Sequence, residues 1–164
     1  MPDVFTHLMV GFSVAILVRR NDNRAEQMLI VLGSVLIDIE RPITWLLVGT
    51  ELEWIELGYA FHSLLSAAVL SFFAASCFTL DDTDFRGRVV LIFIGCISHL
   101  ALDLTMYPWI EVGLYLLYPL TIPFSLNLLW PDFWFFPVLG LVALITAILS
   151  RFGLKFIVNE KPSG

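Results

Sequence analysis

At 164 residues the chain is long enough for one small domain. Of these residues 59% are hydrophobic and only 15% are charged, and the mean hydropathy is +0.87. A soluble globule is roughly 45–50% apolar and about 25% charged, so that class is excluded; a net charge of −6 and a pI near 4.8 offer no basic face to a phosphate backbone, which excludes direct nucleic-acid binding.

If about 20 apolar residues make one bilayer crossing, the apolar runs supply five crossings of a single integral-membrane domain. Segment one, residues 4–18 (VFTHLMVGFSVAILV), is short. It begins after Met-Pro-Asp with no basic residue and is followed by Arg19-Arg20, which is not the pattern of a cleaved signal, so it reads as a first helix with Pro2 near its start. Segment two covers 28–50 and is interrupted by Arg41-Pro42. Segments three (57–80) and four (89–109) follow, and Cys77 and Cys96 within them lack CxxC spacing and read as buried thiols. Pro108, Pro119, Pro123 and Pro131 punctuate the stretch after segment four, so broken or re-entrant pieces are expected there and in segment two. Segment five covers 133–150, and Trp130, Phe133, Trp134, Phe135 and Phe136 read as an interfacial aromatic belt at its outer end. The domain is expected over 1–156, with 157–164 a short disordered cytoplasmic tail. Runs such as LLSAAVLSFFAASCF lack the alternation of a barrel strand, so the expected fold is an all-α bundle of about five transmembrane helices.

Positive charges set the orientation. Arg19, Arg20 and Arg24 follow segment one, Arg86 and Arg88 follow segment three, and Arg151, Lys155 and Lys161 follow segment five. The loops after segments two and four carry Glu51, Glu53, Glu56 and Glu111 and no basic residue. This predicts an outside N-terminus and a cytoplasmic C-terminus.

The chemistry lies in residues that are costly where they stand. His7, Asp38, Glu40, Arg41, His62, His99 and Asp103 all fall within apolar segments, and the set includes every histidine of the chain. A charge near the bilayer centre costs at least ~2.5–3.5 kcal/mol, so such groups pair, bind ions or line a cavity. His99 and Asp103 form HxxxD, two side chains on one helical face that can share one metal ion or simply hydrogen-bond. With the orientation above, His7 and His62 lie roughly 7–8 Å below the outer surface, Asp103 about 9 Å and His99 about 15 Å. A break at Arg41-Pro42 would bring Asp38 level with them, which is the common depth that a single site requires. Three imidazoles with carboxylates suit zinc or another divalent ion, manganese included. Thr6, Ser63, Ser98 and Thr105 adjoin these residues and can either support them or bond their own helix carbonyls. Glu40 and Arg41 suggest an internal ion pair; Glu40 can equally be a ligand or a carboxylate behind one.

Several boxes together, Asp3-x-x-Thr6-His7 with Gly11, Asp38-Ile39-Glu40, His62-Ser63-Leu64-Leu65, Ser98-His99-x-x-x-Asp103 and Pro123-Phe124-Ser125, resemble the membrane-bound metal-dependent hydrolases, also described as LexA-binding, inner-membrane-associated hydrolases. The resemblance covers nearly the whole chain and implies a prokaryotic inner-membrane location. LexA binding is not carried over. Where that family commonly has HRGxTHS, this chain reads Leu57-Gly58-Tyr59-Ala60-Phe61-His62-Ser63, without the earlier histidine and the arginine; the Pro-Asp-x-Asp box reads Ile37-Asp38-Ile39-Glu40. A more distant similarity, to zinc-dependent phospholipase C and S1/P1-type nucleases, implies His7, Asp38, His62, His99 and Asp103 as ligands of at most one or two ions, Asp103 being able to bridge two. The resemblance implies metal-assisted hydrolysis of a lipid or lipid-linked phosphoester or ester, with Asp38 or Glu40 as proton acceptor. Two other classes stay open on the same residues: a proton or divalent-ion transport protein, and a non-catalytic scaffold with a structural metal. Membrane lipids are the one partner that the sequence itself indicates.

Overall fold

The computed structural model describes residues 3–18, 23–46, 54–78, 84–105, 114–126, 128 and 135–159, and its regular elements are helices. Helix α1 (Val4–Val18) coincides with segment one. Asp3 caps it, accepting from the Thr6 amide at 2.9 Å and the Thr6 hydroxyl at 3.0 Å, so His7 is presented from a fixed first turn.

Segment two is α2 (Arg24–Leu36), a 3-10 turn (Ile37–Ile39) and α3 (Glu40–Leu46). The break falls three residues before the predicted Arg41-Pro42. Pro42 lacks an N–H, and its ring crowds the carbonyl four residues earlier, that of Asp38, so the helix tightens upstream of the proline while Pro42 itself sits in the first turn of α3. Segment three, read as continuous, is broken at the site: α4 (Trp54–Phe61) ends, His62 and Ser63 turn, and α5 (Leu64–Ser76) begins. Ser63 is extended (φ −123°, ψ 158°) and its side chain accepts from the Ser66 amide at 3.2 Å, an N-cap within a hydrophobic run. Helix α6 (Phe85–Thr105) is segment four extended by four residues at its start, where the Asp84 carboxylate accepts from the Gly87 amide at 2.8 Å. Helix α7 (Phe135–Asn159) runs nine residues past segment five.

Helices α2 and α6 form the central pair, with α1 against both, α7 outside α1, and α5 against α6. Small residues set the spacing. A Cβ on Gly33 would run into the Ile92 carbonyl and one on Gly95 into the Ile30 carbonyl, so the α2 and α6 backbones touch. A Cβ on Gly11 would strike the Ser34 side chain, so α1 meets α2 at the residue next to Gly33. Ile30, Ile37, Ala67, Ala75, Ile92 and Cys96 are fully buried around this crossing.

The proline-rich stretch is a hairpin in which Leu114 and Phe124 exchange backbone hydrogen bonds of 2.9 and 2.8 Å, with a cis Tyr118–Pro119 bond at its tip. It ties two helix ends. The Leu64 amide at the start of α5 donates to the Leu116 carbonyl, and the Leu126 and Leu128 amides donate to the Leu104 and Thr105 carbonyls at the end of α6, each at 2.9 Å. Helix termini leave such groups orphaned, and here one strap satisfies the pair that flank His62 and Asp103. Pro108, Glu111, Trp130 and Pro131, like the basic pair Arg19-Arg20 and the acidic loop Glu51 and Glu53, lie outside the described residues.

One reading is corrected: Cys96 is buried, but Cys77 is exposed, because α5 ends there and its thiol turns back to the Phe73 carbonyl of its own helix. Both thiols are free.

Candidate metal centre

Six ionisable side chains from five places in the chain converge at one end of the α2–α6 pair: His7 from α1, Asp38 from the 3-10 turn, Glu40 from α3, His62 from the α4–α5 break, and His99 and Asp103 from α6. None exceeds 6% exposure. His7 stacks on His99 with ring centroids 3.7 Å apart and planes 12° from parallel.

Main-chain carbonyls orient the two central imidazoles. His99 Nδ1 lies 2.8 Å from the Ser34 carbonyl and His62 Nδ1 lies 3.0 Å from the Gly58 carbonyl. A carbonyl oxygen only accepts, so both Nδ1 atoms carry the proton, and a neutral ring then has its lone pair on Nε2. Those two Nε2 atoms face each other at 3.4 Å. Asp103 Oδ2 stands 3.2 Å from His99 Nε2 and 3.4 Å from His62 Nε2, and Asp38 Oδ1 is 3.9 Å from each. Four electron-pair donors thus point at one small volume. The other Asp103 oxygen is 3.4 Å from His7 Nε2. Neither nitrogen of His7, neither oxygen of Asp38 or Asp103, nor Glu40 Oε2 has an aligned hydrogen bond, although all are buried. Such groups are costly without a partner.

A divalent ion is the partner that this arrangement fits. Zinc bound at about 2.0 Å in a tetrahedron has ligand atoms about 3.3 Å apart. The His62, His99 and Asp103 atoms are separated by 3.2, 3.4 and 3.4 Å, with Asp38 slightly farther. Two overlapping trios, His7–His99–Asp103 and Asp38–His62–His99, each have ligand atoms within 4.8 Å of one another. Imidazole nitrogen with carboxylate oxygen, and neither thiol in these trios, suits zinc or manganese.

Around the cluster, Glu40 Oε1 lies 3.5 Å from His62 Nδ1, and its carboxylate lies against the bare face of Gly58. Arg41 pairs with Asp38, its i,i+3 neighbour, with Nε 3.0 Å from Oδ1, and Glu40 Oε1 reaches His62. The hydroxyls serve the backbone: Thr6 bonds Asp3, Ser63 the Ala60 carbonyl, Ser98 the Gly95 carbonyl and Thr105 the Leu102 carbonyl.

The structure therefore brings His7, Asp38, Glu40, His62, His99 and Asp103 together, and adds Ser34 and Gly58, whose contribution is a carbonyl and leaves no side-chain signal. Gly33 and Gly95 were equally hidden, although their small size within apolar runs is the signal of close helix packing, and Gly11 was marked only as part of the N-terminal box.

A helical bundle with a buried histidine and carboxylate cluster and an outward apolar surface defines a class of membrane protein. Helix α6 is long and apolar enough to cross a membrane, while α1, α5 and residues 137–151 of α7 are shorter apolar helices; Phe73, Val138, Val142 and Leu149 are exposed large hydrophobic side chains. The chain matches the YdjM inner membrane protein family over residues 1–159 and belongs to it. No curated protein and no solved structure matches.

Proposed function

We propose that this protein is a membrane-embedded, metal-dependent hydrolase acting on a lipid or lipid-linked phosphoester or ester in the outer half of the membrane. The observation that carries the reading is the convergence of His62 Nε2, His99 Nε2, Asp103 Oδ2 and Asp38 Oδ1 on one small buried volume. Charge supports it. Three carboxylates and the Arg41 guanidinium sum to −2, the charge one divalent ion cancels.

Bound there, zinc or manganese supplies Lewis-acid polarisation of a phosphoryl or carbonyl oxygen and makes water acidic near neutral pH. The chain's own residues do the rest. His62 and His99 are held in one tautomer by the Gly58 and Ser34 carbonyls. Asp38 and Asp103 neutralise the ion, and His7 reaches the second Asp103 oxygen. Glu40 keeps Oε2 buried without a hydrogen bond, beside the open face of Gly58, and is placed to accept a proton; Asp38, engaged by Arg41, is the second candidate for that role. Five crossings, formed by α1, α2–α3, α4–α5, α6 and α7 with the N-terminus outside, put this cluster in the outer leaflet, where phospholipid esters are the nearest substrates.

The test is metal content of the detergent-purified protein by mass spectrometry, next to a His99→Ala, Asp103→Ala variant, followed by a phosphoester and ester screen with metal bound. Near-stoichiometric zinc or manganese that the folded variant loses, with turnover, is the expected result. Metal without turnover leaves the scaffold reading, and no metal after reconstitution removes the hydrolase.

A further inference from the structure

The two arms of the hairpin at 114–126 face different surroundings. The first arm is turned inward: Leu114, Tyr115 and Leu116 are half-buried, the Leu116 carbonyl accepts from Leu64, and the Tyr115 ring meets Tyr59 of α4 edge-on with centroids 4.5 Å apart. The second arm, from Pro119 to Leu126, is exposed at every position, with Leu120 58%, Ile122 51% and Leu126 54% exposed. The Pro123-Phe124-Ser125 box lies on this arm.

Ionisable residues mark the other connections between helices, among them Arg19, Arg20, Glu51, Glu53, Asp81 and Asp82. Between Glu111 and Asp132 the sequence has none. A contiguous apolar patch without charge suits a protein or a membrane rather than water. The main chain of this arm favours the membrane. A strand that adds to another chain offers it a row of N–H groups, whereas backbone next to lipid must be satisfied within the protein. Here the Leu120, Phe124 and Leu126 amides donate to the Leu117, Leu114 and Leu104 carbonyls, and Pro119 and Pro123 have no N–H to satisfy. Thr121 and Ser125, polar but uncharged, suit the boundary between head groups and acyl chains.

We propose that the second arm of this hairpin inserts into the lipid interface of the leaflet at the cluster's end of the bundle, as a shallow lip beside the metal centre. Its main-chain bonds from Leu64 and to Leu104 and Thr105 lie within two residues of His62 and Asp103, so the lipid contact is tied to the helix ends that carry the site. The insertion stands without the hydrolase reading; that a lipid gathered there is also a substrate rests on it.

The experiment uses the full-length protein in nanodiscs of phosphatidylethanolamine and phosphatidylglycerol, with Cys77→Ser leaving the buried Cys96 as the remaining native thiol. A single cysteine replaces Leu120 or Ile122 on the arm, Phe73 on the outside of α5, or Arg86 in the first turn of α6, all exposed positions, and carries an environment-sensitive fluorophore. Labels at Leu120→Cys and Ile122→Cys should lose fluorescence to a lipid with a nitroxide high on its acyl chain, as the Phe73→Cys label does, and should resist aqueous iodide, which quenches the Arg86→Cys label. Two positions on the arm guard against one variant failing to fold, which size-exclusion chromatography reports. Iodide quenching at both without loss to the nitroxide would put the arm in water and overturn the proposal. Resistance to both quenchers would mean that protein, such as a second copy of the chain, covers the arm, and would overturn it equally. Insertion without phosphoester or ester turnover would uphold it and leave the hydrolase reading to fail alone.

Discussion

The α2–α6 crossing and the histidine cluster, which begins one helical turn further along α6 and just past the end of α2, obey opposite rules. At Gly33 and Gly95 the backbones touch, the flanking side chains are apolar, and helical hydrogen bonds satisfy the polar groups. At His99 and Asp103, one and two turns further along α6, buried nitrogen and oxygen atoms face one another, and both Asp103 oxygens lack an aligned hydrogen bond. Tight small-residue packing in a membrane supplies the association that the hydrophobic effect does not provide between helices surrounded by lipid. The crossing thereby holds together the buried cluster of histidines and carboxylates. The two regions are also mechanically joined, because the Ser34 carbonyl that orients His99 follows directly on Gly33.

The largest effect should come from breaking the crossing. Gly95→Leu places a side chain where the Ile30 carbonyl and the Gly33 backbone stand, so α2 and α6 cannot approach. Overpacking of a yielding core costs ~1–3 kcal/mol; contact with backbone on both sides should exceed that and abolish a monodisperse folded protein in size-exclusion chromatography. A folded Gly95→Leu protein would show that the crossing is not what holds the cluster.

Next in size is the cluster's response to metal. Chelation of the parent should lower its melting temperature, by an amount set by the binding free energy, about 2.7 kcal/mol when free metal is at 100 times the dissociation constant. The His99→Ala, Asp103→Ala variant should show no such response. In the chelated state it should be at least as stable as the parent, because removing mutually facing acceptors relieves a penalty where removing packing would create one. A variant less stable than the chelated parent would mean that the cluster packs as a core does.

Smaller still are the caps that connect the regions to the chain's ends. Asp3→Ala removes the group that bonds Thr6 twice at the start of α1, and Ser63→Ala removes the N-cap of α5; each should cost ~1 kcal/mol in thermal or denaturant unfolding. Both also adjoin a site residue, so each should weaken metal retention more than an exposed substitution such as Phe73→Ala.

These elements differ in how visible they were beforehand. Segments one and four are legible from hydropathy because α1 and α6 are unbroken, and the site residues are legible because an ionisable group within an apolar run has few reasons to be there. The breaks were harder. Pro42 announces an interruption, but its ring acts on the carbonyl four residues earlier, so the turn appears at Ile37–Ile39. Hydropathy averages over His62-Ser63 and sees one segment, while the serine's capping role becomes visible only once a helix start is suspected there. Ser34 and Gly58 act through main-chain oxygen, which every residue possesses, and their selection depends on which backbone the small residues allow to come close.

The smallest perturbation probes the two cysteines, which repeat the contrast between interior and surface on α5 and α6. Cys96 is buried beside Ser71, its thiol 3.6 Å from the hydroxyl, whereas Cys77 is exposed at the end of α5. A maleimide should label Cys77 stoichiometrically in the folded protein and reach Cys96 only after denaturation, and Cys77→Ser should leave the unfolding free energy within ~0.5 kcal/mol of the parent's. With the proposed orientation, α5 runs from the outer leaflet to the cytoplasmic side. A membrane-impermeant maleimide should then spare Cys77 in intact cells and label it in inverted vesicles, and labelling in intact cells instead would move the histidine cluster, four helical turns away on the same segment, to the inner leaflet.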